Sequence, residues 1–550
     1  MKEKFDAIVI GSGPGGSAAV RELTEGGLDV LLLEAGKKLE PTDYEPPASG
    51  KLKARGMDLL PRAIAMAKGQ ITQARRPYFS ERSGRFLVND VEDPYTTPIS
   101  RPYLWIRGKL VGGRMQSYGR VLQRMSDLDF RCASLDGQGA DWPIDYAELE
   151  PWYDRVEELV GVAGDADGLE HPPDGKYAAP GFLSSLEREF KNKVESRWLD
   201  RRVISWRTQL PFADRIPPGL AAAEQTGKLT VRPLSVVTKV VTDARTGLAT
   251  CVEFKDRGSG EEYRAYADSF LLCCSTIETI RLLLASASRW HPGGLGNSSG
   301  TLGRYFMDQT VSVGYYDSPA HLGLWEKDPV LSVDPLGPPG GVLIPRYDNL
   351  DGKARGFARG ISFQGMGGRM PVPADCPASF GLGSFGEMLP SFSNRVRLSP
   401  IKDRWGMPIP HIDLSMGEND RKLLDRSLVH LREMIGECGF RINFIASNAG
   451  VDSRWPDFNV IQRQIFKLGS RTSIILGAAI HECGGARMGD DPTRSVVNSR
   501  NQLWDAPNVL VCDGAAFVSS GTVGPALTIM ALAARAGDFV AGQNGKLTEA

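Results

Sequence analysis

Three glycines open the chemistry of this chain. Gly11, Gly13 and Gly16 stand in "AIVIGSGPGGSAAVRELTEGGLDVLLLEAGKK", residues 7–38, with the spacing G-x-G-x-x-G. That spacing suits a phosphate. Gly11 permits a tight turn, Gly13 lets a pyrophosphate approach the backbone, and Gly16 lets the next helix pack on the strand before it. The helix N-terminus adds unpaired N–H groups and the positive end of a dipole. Glu34 ends the next apolar run, where a carboxylate accepts hydrogen bonds from an adenosine ribose. The stretch predicts a dinucleotide site.

The elements that must hold this site are read from periodicity and breakers. Ala7 to Ile10 predicts a strand, Ser17 to Leu23 a helix ended by Gly26 and Gly27, and Val30 to Leu33 a second strand. Residues 39–100 are rich in Pro, Arg and Lys and read as a long excursion. Residues 102–130 hold a second glycine-rich turn, and residues 141–162 a turn and an amphipathic helix. The β-branched run 228–243 predicts paired strands, and 269–286 a buried strand leading into a helix. Residues 508–517 return as strand and turn, and 524–542 as a closing helix. Residues 310–450 lack the nucleotide pattern, include a Gly/Pro-rich loop region at 334–383, and read as an antiparallel substrate domain. The nucleotide domain is therefore expected from 1–309 and 451–550, with some substrate-domain pieces within 39–225, and the substrate domain from 310–450.

Composition narrows the class. Of 550 residues, 41% are hydrophobic and 24% charged, which suits a globular fold with a large core. A net charge of −1 argues against a nucleic-acid partner. Eight scattered cysteines form no C-x-x-C pair and suit reduced thiols in a cytoplasmic protein, with no metal site expected. No apolar leader and no run of about 18 apolar residues is evident, so no membrane span is expected.

Several ordered motifs then carry a family resemblance. After the N-terminal fingerprint come "GKLVGG" (108–113), "CCSTIETIRLLLAS" (273–286), "LGRYFMDQT" (302–310), "HECGGARMG" (481–489), "CDGAAF" (512–517) and "GPALTIMALAARA" (524–536). In this order they resemble the glucose–methanol–choline (GMC) oxidoreductases, FAD enzymes that oxidise alcohols. Intervening stretches look closest to bacterial glucoside 3-dehydrogenases and C-glycoside or pyranose oxidases. The resemblance implies an α/β fold, with a Rossmann-like FAD-binding domain of the GMC and p-hydroxybenzoate hydroxylase type and an inserted antiparallel sheet. It implies FAD contacts at Gly11, Gly13, Pro14, Gly16, Glu34, Ala35, Gly112, Gly113, Ser117, Val237, Cys274, Ser275, Asp513, Gly514, Gly524, Pro525 and Ala526.

Alcohol oxidation removes a proton from oxygen and a hydride from carbon. His481 is the expected base, because an imidazole accepts protons near neutral pH and the glycines after it let backbone approach a flavin. His171, His291, His321, His411 and His430 read as structural. The N–H groups of Ala526, Leu527 and Thr528, after Pro525, are expected to face charge on a reduced flavin.

Three departures from the family pattern stand out. Gly524 occupies the place of a second His or Asn, and Asn498 or Thr522 are the replacements nearest in sequence. Ser117 stands near a histidine that bonds flavin covalently in some relatives, so the FAD is expected to dissociate. Gln309 replaces a histidine and reads either as lining the site or as a loop hydrogen-bonder. In the insertion, His321, Trp325, Arg359 and Gln364 offer polar or aromatic contacts, though no motif singles one out. The expected activity is oxidation of an alcohol of a sugar, glycoside or polyol-like compound, with oxygen, a quinone or a redox protein as acceptor. The alternatives are a flavin-containing lyase or tailoring enzyme, which Gly524 would suit, and a partner subunit with a degenerate site.

Overall fold

A computed structural model describes residues 4–45, 59–76, 79–212, 215–333, 340–454 and 459–549. Part of the excursion (46–58) and of the Gly/Pro-rich region (334–339) lies outside the described residues.

Two seven-stranded sheets organise the chain. In the first, Leu229–Arg232, Val30–Leu33, Lys4–Ile10, Glu262–Leu272 and Val509–Val511 run parallel in that spatial order. Val30–Leu33, Val509–Val511 and the ends of Lys4–Ile10 and Glu262–Leu272 are near-continuous Val, Ile, Leu and Phe with almost no exposure, as expected for strands covered on both faces, while the edge strand Leu229–Arg232 is half-buried. Glu262–Leu272 is long enough to serve two partners along one edge. Its end pairs with Val509–Val511, and its beginning pairs antiparallel with Ala249–Asp256, which pairs with Ser235–Thr242. The run 228–243 is thus two strands that do not pair with each other. Pro233 lacks an amide donor and Leu234 adopts φ 57°, so the chain turns between them toward different neighbours.

Two helices pack on this sheet, and they run side by side in the same direction. Pro14–Glu25 starts three residues earlier than the pattern suggested, with Gly13 as N-cap and Pro14 in the first turn. Ala526–Gly542 lies against it: Gly15 meets Ile529, Ala19 meets Gly537, and Gly26 meets Ala541. Both N-termini therefore lie at one end of the pair. Neither has a side-chain cap.

The second sheet is antiparallel throughout: Gly450–Ser453, Arg441–Ser447, Gln309–Leu322, Pro377–Glu387, Ile361–Gly367, Val342–Ile344 and Ile204–Ser205. Alternation divides its faces. Tyr316, Phe363, Phe380, Leu382 and Ile445 bury one face, with the helices Ser185–Arg197 and Glu418–Glu437 contributing Phe190, Leu423 and Leu431 to the same core. Gln309, Ser362, Gln364 and Phe385 belong to the other face, toward the first sheet.

Within the Gly/Pro-rich region, Val342–Ile344, Ile361–Gly367 and the start of Pro377–Glu387 are strands, and the described residues between them are loop. A Cβ at Gly365 would lie 1.9 Å from the Gly381 carbonyl oxygen, and one at Gly383 2.2 Å from that of Ser312. These glycines serve close strand approach. Within the excursion, Leu59–Ala67 is a helix.

Candidate active site

The phosphate turn is built by close packing. Gly11 has φ 98°, and a Cβ there would lie 2.3 Å from the Cys273 carbonyl oxygen. A Cβ at Gly16 would lie 1.9 Å from the Gly11 oxygen. At Gly13 a Cβ would meet nothing within 4 Å, so the middle of the turn faces open space. The second glycine turn closes against it: Gly112 N donates to Ser12 Oγ at 3.0 Å, and a Cβ at Gly113 would lie 3.0 Å from Gly13 Cα. Glu34 is buried and holds the turn from below. It accepts from Ser12 Oγ (2.6 Å), Ser12 N (3.1 Å) and Gly36 N (2.8 Å). Burial raises its carboxyl, and those bonds oppose the rise. Ala35 follows it, and Ser235 N donates to the Glu34 carbonyl, which brings the strand carrying buried Val237 alongside.

The histidine segment is laced to this turn through the helix Thr276–Ala285. Cys274 Sγ lies 3.4 Å from the Ile10 carbonyl, and Ser275 enters the helix with φ 76°. Thr276 Oγ1 donates to the Glu482 carbonyl (2.8 Å), and Thr279 Oγ1 to Asp513 Oδ2 (2.5 Å). Gly484 N donates to the Gly514 carbonyl. Arg114, three residues before Ser117, pairs with Glu482 at 2.9 Å and donates to Ser275 Oγ.

His481 is oriented on every side. Its backbone N donates to Asp308 Oδ1 (3.2 Å), and its ring packs at 5.4 Å from Phe385. The preceding Ile480 has φ 62°, a strained conformation for a β-branched residue. Gln309 supplies the decisive contact, with Oε1 2.6 Å from His481 Nδ1. The Gln309 amide is itself fixed, because Nε2 donates to the carbonyls of Gly521 (2.8 Å) and Val523 (3.0 Å). With its amide N–H groups facing carbonyls, Gln309 presents an acceptor to His481. Nδ1 then carries the proton and Nε2 keeps its lone pair. A Cβ at Gly524 would lie 3.6 Å from that Nε2, so the bare glycine leaves room beside the basic nitrogen. Gln309→Leu is expected to retain flavin and lower kcat by on the order of 100-fold through loss of the tautomer, measured by steady-state kinetics alongside the flavin-to-protein absorbance ratio.

Of the two replacements nearest in sequence, Asn498 does not fill the place of the family's second His or Asn. Asn498 bonds to Gln502 and to the amides of Arg500 and Gln502, in a turn of its own. Thr522 accepts from Ser362 Oγ through its carbonyl. The group facing His481 is Gln309, on its other nitrogen.

Burial and Arg114 hold the His481 imidazole down at about 3, so it is neutral at physiological pH. Burial, with the Glu482 carboxylate behind it, raises Asp308 to about 7, against bonds from Gln309 N, His481 N and Tyr103. The signs are opposite. The His481 contribution to stability is full above its ordinary 6.5 and is lost as pH falls toward 3. The Asp308 contribution is full below its ordinary 3.8 and is lost as pH rises through about 7. An ionised carboxylate near the imidazole favours its protonation. The rate is therefore expected to rise with pH through about 7 as Asp308 ionises, and Asp308→Asn, which preserves the acceptor for both amides, should flatten that limb.

Of the polar residues offered by the insertion, only Gln364 joins this wall. It lies one strand from Phe385 on the same face, and its buried Oε1 has no hydrogen-bond partner. His321 bonds Ser318 and Glu189, Trp325 is exposed beside Lys327, and Arg359 pairs with Asp136. The other histidines are engaged away from His481: His171 with Ser126, His291 with Asp505, His411 with Thr96, His430 with Tyr347. Tyr103 and Phe385 carry no sequence signal, and Asp308 stands within "LGRYFMDQT" without a role of its own there, because their roles arise only when distant segments meet.

A glycine cradle for a pyrophosphate, a sheet wall and a held imidazole define a flavin-dependent oxidoreductase. FAD fits these residues: the open middle of the phosphate turn and two uncapped helix N-termini at one end suit its anionic linker. Residues 390–533 match the family model of the GMC oxidoreductases. The chain is 27% identical to 2-methyl-1,2-propanediol dehydrogenase of Mycolicibacterium austroafricanum, over 98% of this chain and 95% of that protein. It is 28% identical to paromamine 6'-oxidase of Streptomyces fradiae, over 98% and 91%. An Aspergillus oryzae formate oxidase shares the fold with a TM-score of 0.65 at 15% identity, over 98% and 99% of the two chains. Along its length the chain is similar to GMC oxidoreductases, with the family model matching its C-terminal part, and its cofactor is FAD. No helix among the described residues is long and apolar enough to cross a membrane, and among them no group of three or more His, Cys, Asp or Glu side chains is placed to hold a metal ion.

Proposed function

We propose that this chain oxidises an alcohol carbon of a sugar, glycoside or polyol-like compound, with His481 Nε2 taking the hydroxyl proton. The observation that supports this most is the Gln309 contact, which leaves Nε2 unprotonated beside the space at Gly524. FAD, when bound, supplies the hydride acceptor. The phosphate turn of Gly11, Gly13, Pro14 and Gly16, the second turn at Gly112 and Gly113, Glu34 and Asp513 hold it. Phe385 and Gln364 line the substrate side. An aromatic face suits the C–H face of a sugar ring, and an unpartnered amide oxygen accepts from a hydroxyl. The names of the diol dehydrogenase and the paromamine oxidase support a hydroxyl-rich substrate.

The test is anaerobic mixing of the yellow enzyme with a panel of free sugars, glycosides and vicinal diols, followed by reoxidation with oxygen, a quinone or a dye. Bleaching by a member of the panel is expected. Turnover of a glycoside with no external acceptor and no bleaching would reject this reading in favour of lyase chemistry.

A further inference from the structure

The helix Val460–Ser473 carries its apolar stripe on the wrong side. Ile461, Ile465 and Leu468, at helical spacing, are 54–70% exposed, and of the whole helix only Phe466 is buried, against Phe444. An amphipathic helix normally turns that stripe to the core. The helix Leu59–Ala67 repeats the pattern, with Leu60 and Ile64 exposed and Ala65 buried. The two helices flank the short turn Gln73–Arg75, which packs on both, and the Arg75 guanidinium donates to the Thr472 carbonyl at 2.7 Å. Ile71, also exposed, lies between them in the same patch.

Charge on these segments has one sign. Residues 59–80 carry Arg62, Lys68 and Arg75, besides Arg76, whose guanidinium turns inward to the Ser117 carbonyl, and residues 459–480 carry Arg463, Lys467 and Arg471; neither stretch contains an acidic residue, and Asp58, Glu81 and Asp457 border them, in a chain whose net charge is −1. Two carboxylates nearby are engaged: Asp90 accepts from Thr72 N and Gln73 N, and Asp452 pairs with Arg454.

We propose that this face docks on the surface of an anionic lipid bilayer, with the aliphatic side chains in the headgroup boundary and the cations among the phosphates. Outward aliphatic stripes edged by Lys and Arg are the pattern of helices that lie in that interface. A second copy of the chain is a poor occupant, because a two-fold contact would bring like charges face to face. Phe466 packs on Phe444, which stacks at 6.3 Å on Tyr315, and Val313 and Phe385 belong to the same apolar cluster as Ala65 and Ile474. The docking face therefore adjoins the wall of the active site. The inference does not depend on the substrate.

The experiment is co-sedimentation of the flavin-loaded enzyme with vesicles of phosphatidylcholine alone, or with about one-third phosphatidylglycerol, at roughly physiological salt. Binding to the anionic vesicles only is expected. Lys467→Gln with Arg471→Gln should weaken it about 25-fold, at about fivefold per cation removed. Ile461→Glu with Leu468→Glu should weaken it at least about tenfold. Both variants should keep the yellow spectrum and the activity in solution. Absence of the wild type from the anionic pellet, unaltered binding by both variants, or self-association through this face without vesicle binding would overturn the proposal.

Discussion

Alanine at His481 is expected to lower substrate-driven flavin reduction by about 10²- to 10⁴-fold, the range a positioned general base contributes. The ring is held by Gln309 at Nδ1 and by packing on Phe385, so its removal deletes Nε2 without disturbing the phosphate turn. The variant should remain yellow and bind FAD as the parent does. Stopped-flow reduction under anaerobic conditions measures the loss directly. A variant that bleaches at the parental rate would remove His481 from the chemistry.

Gly16→Ala is expected to have the opposite profile: loss of the fold and with it the cofactor. The added Cβ would lie 1.9 Å from the Gly11 oxygen and 2.9 Å from its carbonyl carbon, both backbone atoms that no rotamer change can move. Overpacking of this kind costs about 3 kcal/mol or more when the backbone must shift. Gly13→Ala is the contrast. Gly13 has φ −66°, ordinary for any residue, and its Cβ meets no protein atom within 4 Å. That variant should fold with near-parental thermal stability and bind FAD weakly, because the methyl group occupies space beside the turn. Melting temperature and flavin content, measured on both, separate the two effects. Soluble Gly16→Ala protein with full flavin would contradict the packing argument.

These two sites differ in how far the sequence alone discloses them. The phosphate turn is local: strand, glycines, helix and Glu34 lie within 31 consecutive residues, and each has a fixed stereochemical purpose. The two-sheet architecture was legible from the order of motifs, since parallel strands need buried runs and the insertion lacked them. What escaped was assembled over distance. Gln309 acts on His481 only because residues 520–523 return to bind its amide, a contact more than 200 residues long in sequence. Gly365 and Gly383 fall in a stretch that reads as loop, because composition does not distinguish a flexible glycine from one squeezed between strands. Asn498 is near Gly524 in sequence and is held in a separate turn, so proximity along the chain does not make it a partner of His481.

The side-by-side course of the first and last helices has a thermodynamic consequence. Two peptide dipoles lying parallel and side by side repel, and each leaves about half a positive charge at the shared end. A bound diphosphate relieves that repulsion, so nucleotide affinity and folding stability are two readings of one electrostatic field. Stripped of flavin, the chain should therefore melt earlier and regain stability on addition of ADP alone, by an amount that grows logarithmically with its concentration. In a cell, the supply of flavin would then govern how much of this protein escapes degradation.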